Sequence, residues 1–126
     1  MTPEYIAGFF DGEGCVSTFS QPRRITRIAI SMTQKRPEVL HQIQEYLGYG
    51  KVYPNHRGSY CLRVLGRSEA KEFIRLVYPH SVVKKPELRL AYELLKLVGS
   101  PGCRVSEEDK IKRQILVHKI RELKEV

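Results

Sequence analysis

Cysteine is scarce, and what there is does not pair. Cys15, Cys61 and Cys103 are the only three. They make no CxxC spacing and leave one over, so neither a disulfide framework nor a structural zinc site is expected, and a reducing compartment is the default. Long apolar runs are also missing. No stretch approaches the roughly 20 residues of a membrane span, and the N-terminus lacks the basic, apolar and small-residue order of a signal peptide. A membrane protein is excluded on this reading, secretion has no support, and the expected location is intracellular. The four histidines, His41, His56, His80 and His118, are scattered without metal-ligand spacing. There is no GxxxxGK[ST] loop, no nucleophile elbow and no HExxH pair, so nucleotide hydrolases, serine hydrolases and zinc proteases are unsupported. No small-molecule substrate is indicated.

What is present is one domain's worth of chain. The 126 residues correspond to a radius of gyration of about 14 Å. At 41% hydrophobic residues the chain can build a core. Lys and Arg total 22 against 14 Asp and Glu, a net charge of +8 with a pI near 9.6. Such a field favours polyanions, nucleic acid before anionic membrane. The charge is unevenly placed. Residues 1–14 hold Glu4, Asp11 and Glu13 and no base, residues 15–67 hold nine bases and two acids, and residues 68–126 hold thirteen bases and nine acids. A solvating surface mixes its signs, so the one-signed segment reads as a binding face.

The pattern predicts a first helix from Thr2 to about Asp11, capped by Thr2, with Pro3 in its first turn and Gly12 and Gly14 ending it. Strands follow at 15–21 and 24–33, the second with Ile28, Ile30 and Met32 alternating with Arg27, Ala29 and Ser31. Pro22 and Arg23 occupy the turn. A helix from Pro37 to Leu47 ends at Gly48. A second hairpin pairs 51–56 with 59–65 around Arg57-Gly58. Helices are predicted from Ser68 to about Pro79, from about Pro86 to Val98, and from Glu107 to Leu123. Ile111, Ile115, Leu116 and Ile120 in the last one read as an amphipathic cover; Tyr46, Tyr78 and Tyr92 read as core or helix-packing residues. Gly99-Ser100-Pro101-Gly102 breaks the chain before it.

This order, two ββ units each followed by helix, predicts an α+β fold: a four-stranded antiparallel sheet with helices on one side. The uncovered face would present Ser17, Phe19, Gln21, Arg27, Ser31, Lys51, Tyr53, Asn55, Ser59 and Arg63. Arg23, Arg24, Lys35 and Arg57 extend it at turns and strand ends. Amides, hydroxyls, guanidiniums and an aromatic are what reading base edges and phosphates requires. A merely solvated sheet face is the competing reading.

The stretch Ile6-Ala7-Gly8-Phe9-Phe10-Asp11-Gly12-Glu13-Gly14 carries the most information. Gly8 and Gly12 share a helical face, each costing about 1 kcal/mol relative to Ala. Such a stripe is tolerated where another backbone approaches, for instance a second copy of the helix. Glu13 would then face its mate across a two-fold axis, and paired carboxylates beside a basic face can hold Mg²⁺ against phosphate. From spacing alone, a turn formed by the glycines and capped by the acids remains open.

The same nine residues, IAGFFDGEG, resemble the LAGLIDADG motif of homing endonucleases, and the αββαββα order over about residues 2–98 is similar to that family's core, with a C-terminal extension over about 103–126 of the same single domain. With one motif, the resemblance implies a homodimer joined through the motif helices at Ala7, Gly8, Asp11 and Gly12. It implies a site-specific double-strand DNA endonuclease using Mg²⁺, or another divalent cation such as Mn²⁺, with Ca²⁺ supporting binding without cleavage. Glu13 matches the metal-binding carboxylate, with Gly12 beside it. Asp11 matches the structural acid, Gln34 the glutamine near the attacking water, and Lys84 (or Lys85) the lysine of the active-site network. A basic residue expected near the glutamine meets Glu38 instead, with Arg36 as a substitute. The expected compartment is the cytoplasm of a prokaryote or phage host, or an organelle. A non-cleaving nucleic-acid binder of the same fold, an intron maturase or a repressor, is the alternative. Strands of about eight residues reach roughly 26 Å, or about 8 base pairs. Two copies would read about 20 base pairs of pseudo-palindromic DNA.

Overall fold

A computed structural model describes residues 1–19, 27–97 and 107–124. The chain forms α1 (Pro3–Glu13), β1 (Gly14–Phe19), β2 (Arg27–Gln34), α2 (Glu38–Leu47), β3 (Lys51–Pro54), β4 (Tyr60–Val64), α3 (Arg67–Val77), a 3-10 turn (Tyr78–His80), α4 (Lys85–Leu97) and α5 (Glu107–Lys124). The strands make one antiparallel sheet in the order β1-β2-β4-β3. The α+β architecture expected from the pattern is present. Pro22, Arg23 and the Gly99–Gly102 break lie outside the described residues, as does Val98.

Each helix end has a local cause. Thr2 Oγ1 accepts from the Tyr5 N–H at 3.1 Å and Pro3 opens α1 where no N–H is needed. Gly48 closes α2 in the left-handed conformation, φ 80°. Glu38 is the first residue of α2. There it complements the helix dipole, which explains an acid at a place where the motif register called for a base. α1 runs two residues further than expected. Gly12 lies inside the helix and Glu13 is its last residue, so Glu13 stands in the last turn and not past it.

The helices pack on one face of the sheet. Ile6, Ala7 and Phe10 of α1, Ile28, Ile30 and Met32 of β2, Leu62 and Val64 of β4, and Phe73 and Val77 of α3 are buried together. Each such large side chain contributes about 1.5–3 kcal/mol. Phe10 and Phe73 meet edge to face at 5.4 Å. α5 packs on α4, with Leu116, Val117 and Ile120 in the same core. Ile111 and Ile115 remain exposed, so only part of the apolar spacing in α5 is a cover. Tyr46 is exposed as well, against expectation: it lies at the flank of the α2 face that buries Leu40 and Ile43. Tyr78 and Tyr92 are half-buried against the core. Among the described residues no helix is long and apolar enough to cross a membrane.

Candidate active site and nucleic-acid interface

The uncovered face follows from strand parity. Residues that alternate with Ile28, Ile30 and Met32 point away from the helices. Across the strands, Cys15 pairs with Ser31, Ser31 with Arg63, and Arg63 with Lys51. A second row joins Thr33, Cys61 and Tyr53, and Ser17 pairs with Ala29. Arg63 and Lys51 are exposed and stand side by side on neighbouring strands. The Arg63 guanidinium lies 5.4 Å from the centre of the Tyr53 ring. Burial, with a smaller contribution from Cys61, raises the Tyr53 hydroxyl above its ordinary pKa against the opposing pull of Arg63. Ala29 and Cys61 are buried on this face. They make a floor of small side chains between the taller ones, and the period-two pattern of the strands already contains them although their types carry no polar signal.

The β3–β4 turn carries Asn55, Arg57 and Ser59. Asn55 N donates to the Ser59 carbonyl at 2.8 Å, Asn55 Oδ1 accepts from His56 N at 2.9 Å, and Gly58 takes φ 73°. Asn55 and Arg57 are exposed at the tip. Phe19 and Arg27 pair with each other at the far end of the first hairpin. Gln21, Arg23 and Arg24 lie outside the described residues.

At the opposite end of that hairpin α1 runs directly into β1. Gly14 pairs with Met32, so Gln34, two residues on, ends β2 level with the last turn of α1. Gln34 Oε1 accepts from the Lys35 N–H at 2.8 Å, which leaves its amide N–H groups as donors. Lys35 and Arg36 are exposed beyond it. The loop before α4 is brought to the same place by Asp11. Its carboxylate accepts from Ser81 Oγ at 2.5 Å, Val82 N at 2.7 Å and Lys84 N at 3.0 Å. Partial burial raises the Asp11 pKa, and these donors, with Val83, outweigh that and hold it below the usual carboxylate value. Lys84 is thereby anchored by its backbone beside the end of α1. Glu13, Gln34 and Lys84 share one end of the molecule, and among the described residues no hydrogen bond joins them.

Glu13 differs sharply from Asp11. It is exposed and has neither a hydrogen bond nor an ion pair among the described residues. No base stands in the last turn of α1. The helix carbonyls there form the negative end of the dipole, which disfavours a carboxylate and favours a cation. No group of three His, Cys, Asp or Glu able to hold a metal occurs among the described residues.

Four residues had been expected along a helix-to-helix contact. Gly8 and Gly12 are exposed, and a β-carbon on either would meet nothing within 4 Å. With Tyr5 and half-buried Phe9, whose rings stack at 6.4 Å, they form an uncovered stripe. Ala7 does not belong to it. Its side chain is wholly buried on the core side, because it falls with Ile6 and Phe10 on the face turned to the sheet. Asp11 is likewise turned to its own chain through the 81–84 loop. The motif glycine that the fold itself requires is Gly14, where a β-carbon would collide with the Phe10 ring and carbonyl.

A family model described as LAGLIDADG endonuclease matches residues 6–81. No curated protein sequence matches the chain. Among solved structures it is similar to the homing endonuclease I-CvuI in complex with its target in the presence of calcium, at TM-score 0.84 and 20% identity over 96% of this chain and 80% of that one. It is similar to the archaeal intron-encoded homing endonuclease I-Vdi141I complexed with DNA, at TM-score 0.83 and 23% identity over 96% and 82%. It is similar to the homing endonuclease I-TnaI at TM-score 0.81 and 25% identity, over 99% of this chain and 95% of that one.

Proposed function

The chain belongs to the LAGLIDADG endonuclease family, and from that premise we propose that it is a homing endonuclease that dimerises and cuts both strands of a long pseudo-palindromic DNA site with a divalent cation, Mg²⁺ or Mn²⁺. The observation that carries this reading is Glu13, an exposed carboxylate in the last turn of α1 with no partner among the described residues. A charge of that sign at that end of a helix costs roughly 0.3–1 kcal/mol. Three donors offset the cost at Asp11. Nothing described does so at Glu13, which leaves it for a cation.

The residues fit a hard divalent ion. The Glu13 carboxylate and the Gly12 carbonyl, one of the terminal carbonyls that a helix cannot pair internally, are oxygen donors of the kind Mg²⁺ takes. One chain is short of donors, so a second copy's motif helix and a DNA phosphate complete the set. When bound, the ion supplies Lewis-acid polarisation of the phosphodiester and a more acidic attacking water. The chain's own groups do the rest. Lys84 offers an ammonium to charge developing on the phosphate, an interaction strongest in the transition state. Gln34 offers amide donors and orients water at the end of β2. Asp11 fixes the backbone from which Lys84 reaches.

Dimerisation uses the uncovered stripe of α1. Gly8 and Gly12 present bare backbone on the outer side of the helix, and two such stripes let two helices touch closely around a two-fold axis. The two sheets then lie side by side, with Ser17, Ser31, Lys51, Asn55, Arg57, Ser59 and Arg63 toward the major groove. The non-cleaving alternative gains nothing from an acid left exposed at the dipole's negative end.

The test is selection from a randomised duplex pool in Mg²⁺, in Ca²⁺ and in EDTA. Double-strand cuts at a two-fold symmetric consensus in Mg²⁺, retention without cutting in Ca²⁺, and no cutting in EDTA are expected. Tight symmetric binding with no cutting in Mg²⁺ or Mn²⁺ would overturn the nuclease reading.

A further inference from the structure

The sheet accounts for one side of the molecule. The other side, the outer surface of α4, is grooved. Cavities of about 460, 900 and 420 Å³ adjoin there and share Glu93 in their walls. Together they form a trough along α4, with α3 and the 3-10 turn on one side and α5 on the other. The buried side chains of α4, Leu88, Ala91, Leu94 and Leu95, point the opposite way. The walls hold the bases Arg75, Lys85, Arg89, Lys96 and Lys119 against the acids Glu93 and Glu122.

The cations here rest on aromatic rings rather than on carboxylates. Arg75 donates twice to the Tyr92 hydroxyl, from Nε at 3.1 Å and from Nη2 at 2.9 Å. Lys96 Nζ lies 5.3 Å from the centre of the same ring, and Lys85 Nζ 4.9 Å from that of Tyr78. Among the described residues no carboxylate comes within ion-pair distance of Arg75, Lys85 or Lys96; Arg89 reaches Glu93 at 3.8 Å. The Tyr92 hydroxyl already accepts from Arg75, so its own proton is left to donate outward. The Arg75 hydrogen bonds lower its pKa, which sharpens it as a donor.

A surface that combines more cations than carboxylates, an outward hydroxyl donor and two tyrosine rings in a recess selects its ligand. A duplex offers phosphates but keeps its bases stacked inside, out of reach of a trough. An acidic peptide offers charge but few flat groups. A single nucleic-acid strand offers both, phosphates to the cations and unstacked bases to the rings. We infer that the α4 trough is a second nucleic-acid site, which takes a single strand with its phosphates on Arg75, Arg89 and Lys96 and its bases against Tyr78 and Tyr92. The site is independent of the cleavage reading, because none of these residues lies on the sheet or at the end of α1.

Fluorescence anisotropy of the full chain tests it, with labelled oligouridylate RNA, labelled oligothymidylate DNA and a random-sequence duplex as probes. Single strands should bind with a salt slope of about −2, as expected for three phosphates, and unlabelled duplex should not displace them. Arg75→Glu with Lys96→Glu should weaken single-strand binding about tenfold or more and leave duplex binding unchanged, which also reports that the variant is folded. Tyr92→Ala should weaken it by about 5- to 150-fold, the range for one stacked base. Lys51→Glu with Arg63→Glu on the sheet should do the reverse, weakening duplex binding alone. Tighter RNA than DNA binding identifies RNA as the source of the strand, and the opposite order identifies DNA; either supports the site. Displacement of the single strand by duplex, or equal loss of both on changing the sheet, would overturn it. So would unchanged single-strand binding by the Arg75/Lys96 variant, or failure of either strand to bind at all.

Discussion

The motif helix has two faces that use the same residue types for opposite ends. Inward, Asp11 is held by three donors from residues 81–84, and Gly14 is a glycine because Phe10 occupies the place of its β-carbon. Outward, Glu13 has no partner among the described residues, and Gly8 and Gly12 face open space. One acid and one glycine serve the fold of the single chain. The other acid and the other glycines do nothing for it, and cost it stability through the dipole and through backbone entropy. On the reading proposed above, a second copy of the helix and a bound cation offset that cost from outside the chain.

The comparison can be broken most directly at Glu13. Glu13→Gln should lower cleavage about a thousandfold or more, because it removes the charge that holds the cation, while the melting temperature stays or rises and gel shift in Ca²⁺ persists. A variant that cuts at full rate would move the catalytic acid elsewhere. Gly8→Leu should shift sedimentation from dimer to monomer without unfolding the chain, since nothing within it opposes the new side chain. A dimer that survives would mean that the stripe is not the contact.

On the inward face the signs reverse. Gly14→Ala should cost about 3 kcal/mol of stability, at the upper end of overpacking penalties, because Phe10 cannot retreat within the core; urea unfolding measures it. Asp11→Asn should cost about 2 kcal/mol, since the amide cannot satisfy all three donors. The pH dependence follows from its lowered pKa. A depressed carboxylate stabilises the fold above its unfolded value, near 4, and loses that contribution as pH falls through the folded value. The difference in melting temperature between wild type and Asp11→Asn should therefore be full at neutral pH and shrink below about pH 4. The same variant should slow cleavage by loosening Lys84, an effect that Lys84→Ala reproduces without the loss of stability.

Much of this is legible in the residues alone. Period-two alternation in 27–33 and 60–64 assigns Ser31 and Arg63 to one face and Ile30 and Leu62 to the other, because a strand leaves no other choice. The Thr2-Pro3 start and the Gly48 stop mark helix ends for equally local reasons. The end of α1 is not legible, because Gly12 reads as a breaker whereas the helix continues through it to meet β1. Ala7 and Gly8 look alike in sequence as small residues, and only the packing of α1 on the sheet decides that Ala7 is inside. Ile111 and Ile115 lie on the side of α5 turned away from Leu116, Val117 and Ile120, so the face that packs on α4 does not include them.

What the sequence determined by itself is whatever depends on neighbours a few residues apart: the order of elements, their alternating faces, the basic segment, and a motif with two acids and three glycines. Tertiary structure decided the roles. It brought Lys84 to Asp11 across 73 positions and set Gln34 level with the end of α1. It filled the place behind Gly14 and left Gly8, Gly12 and Glu13 bare. It also joined Arg75 and Lys96 on the ring of Tyr92, from helices whose sequences give no sign of one another. These are matters of distance between parts of the chain far apart in sequence, and such distances exist only once the core has closed.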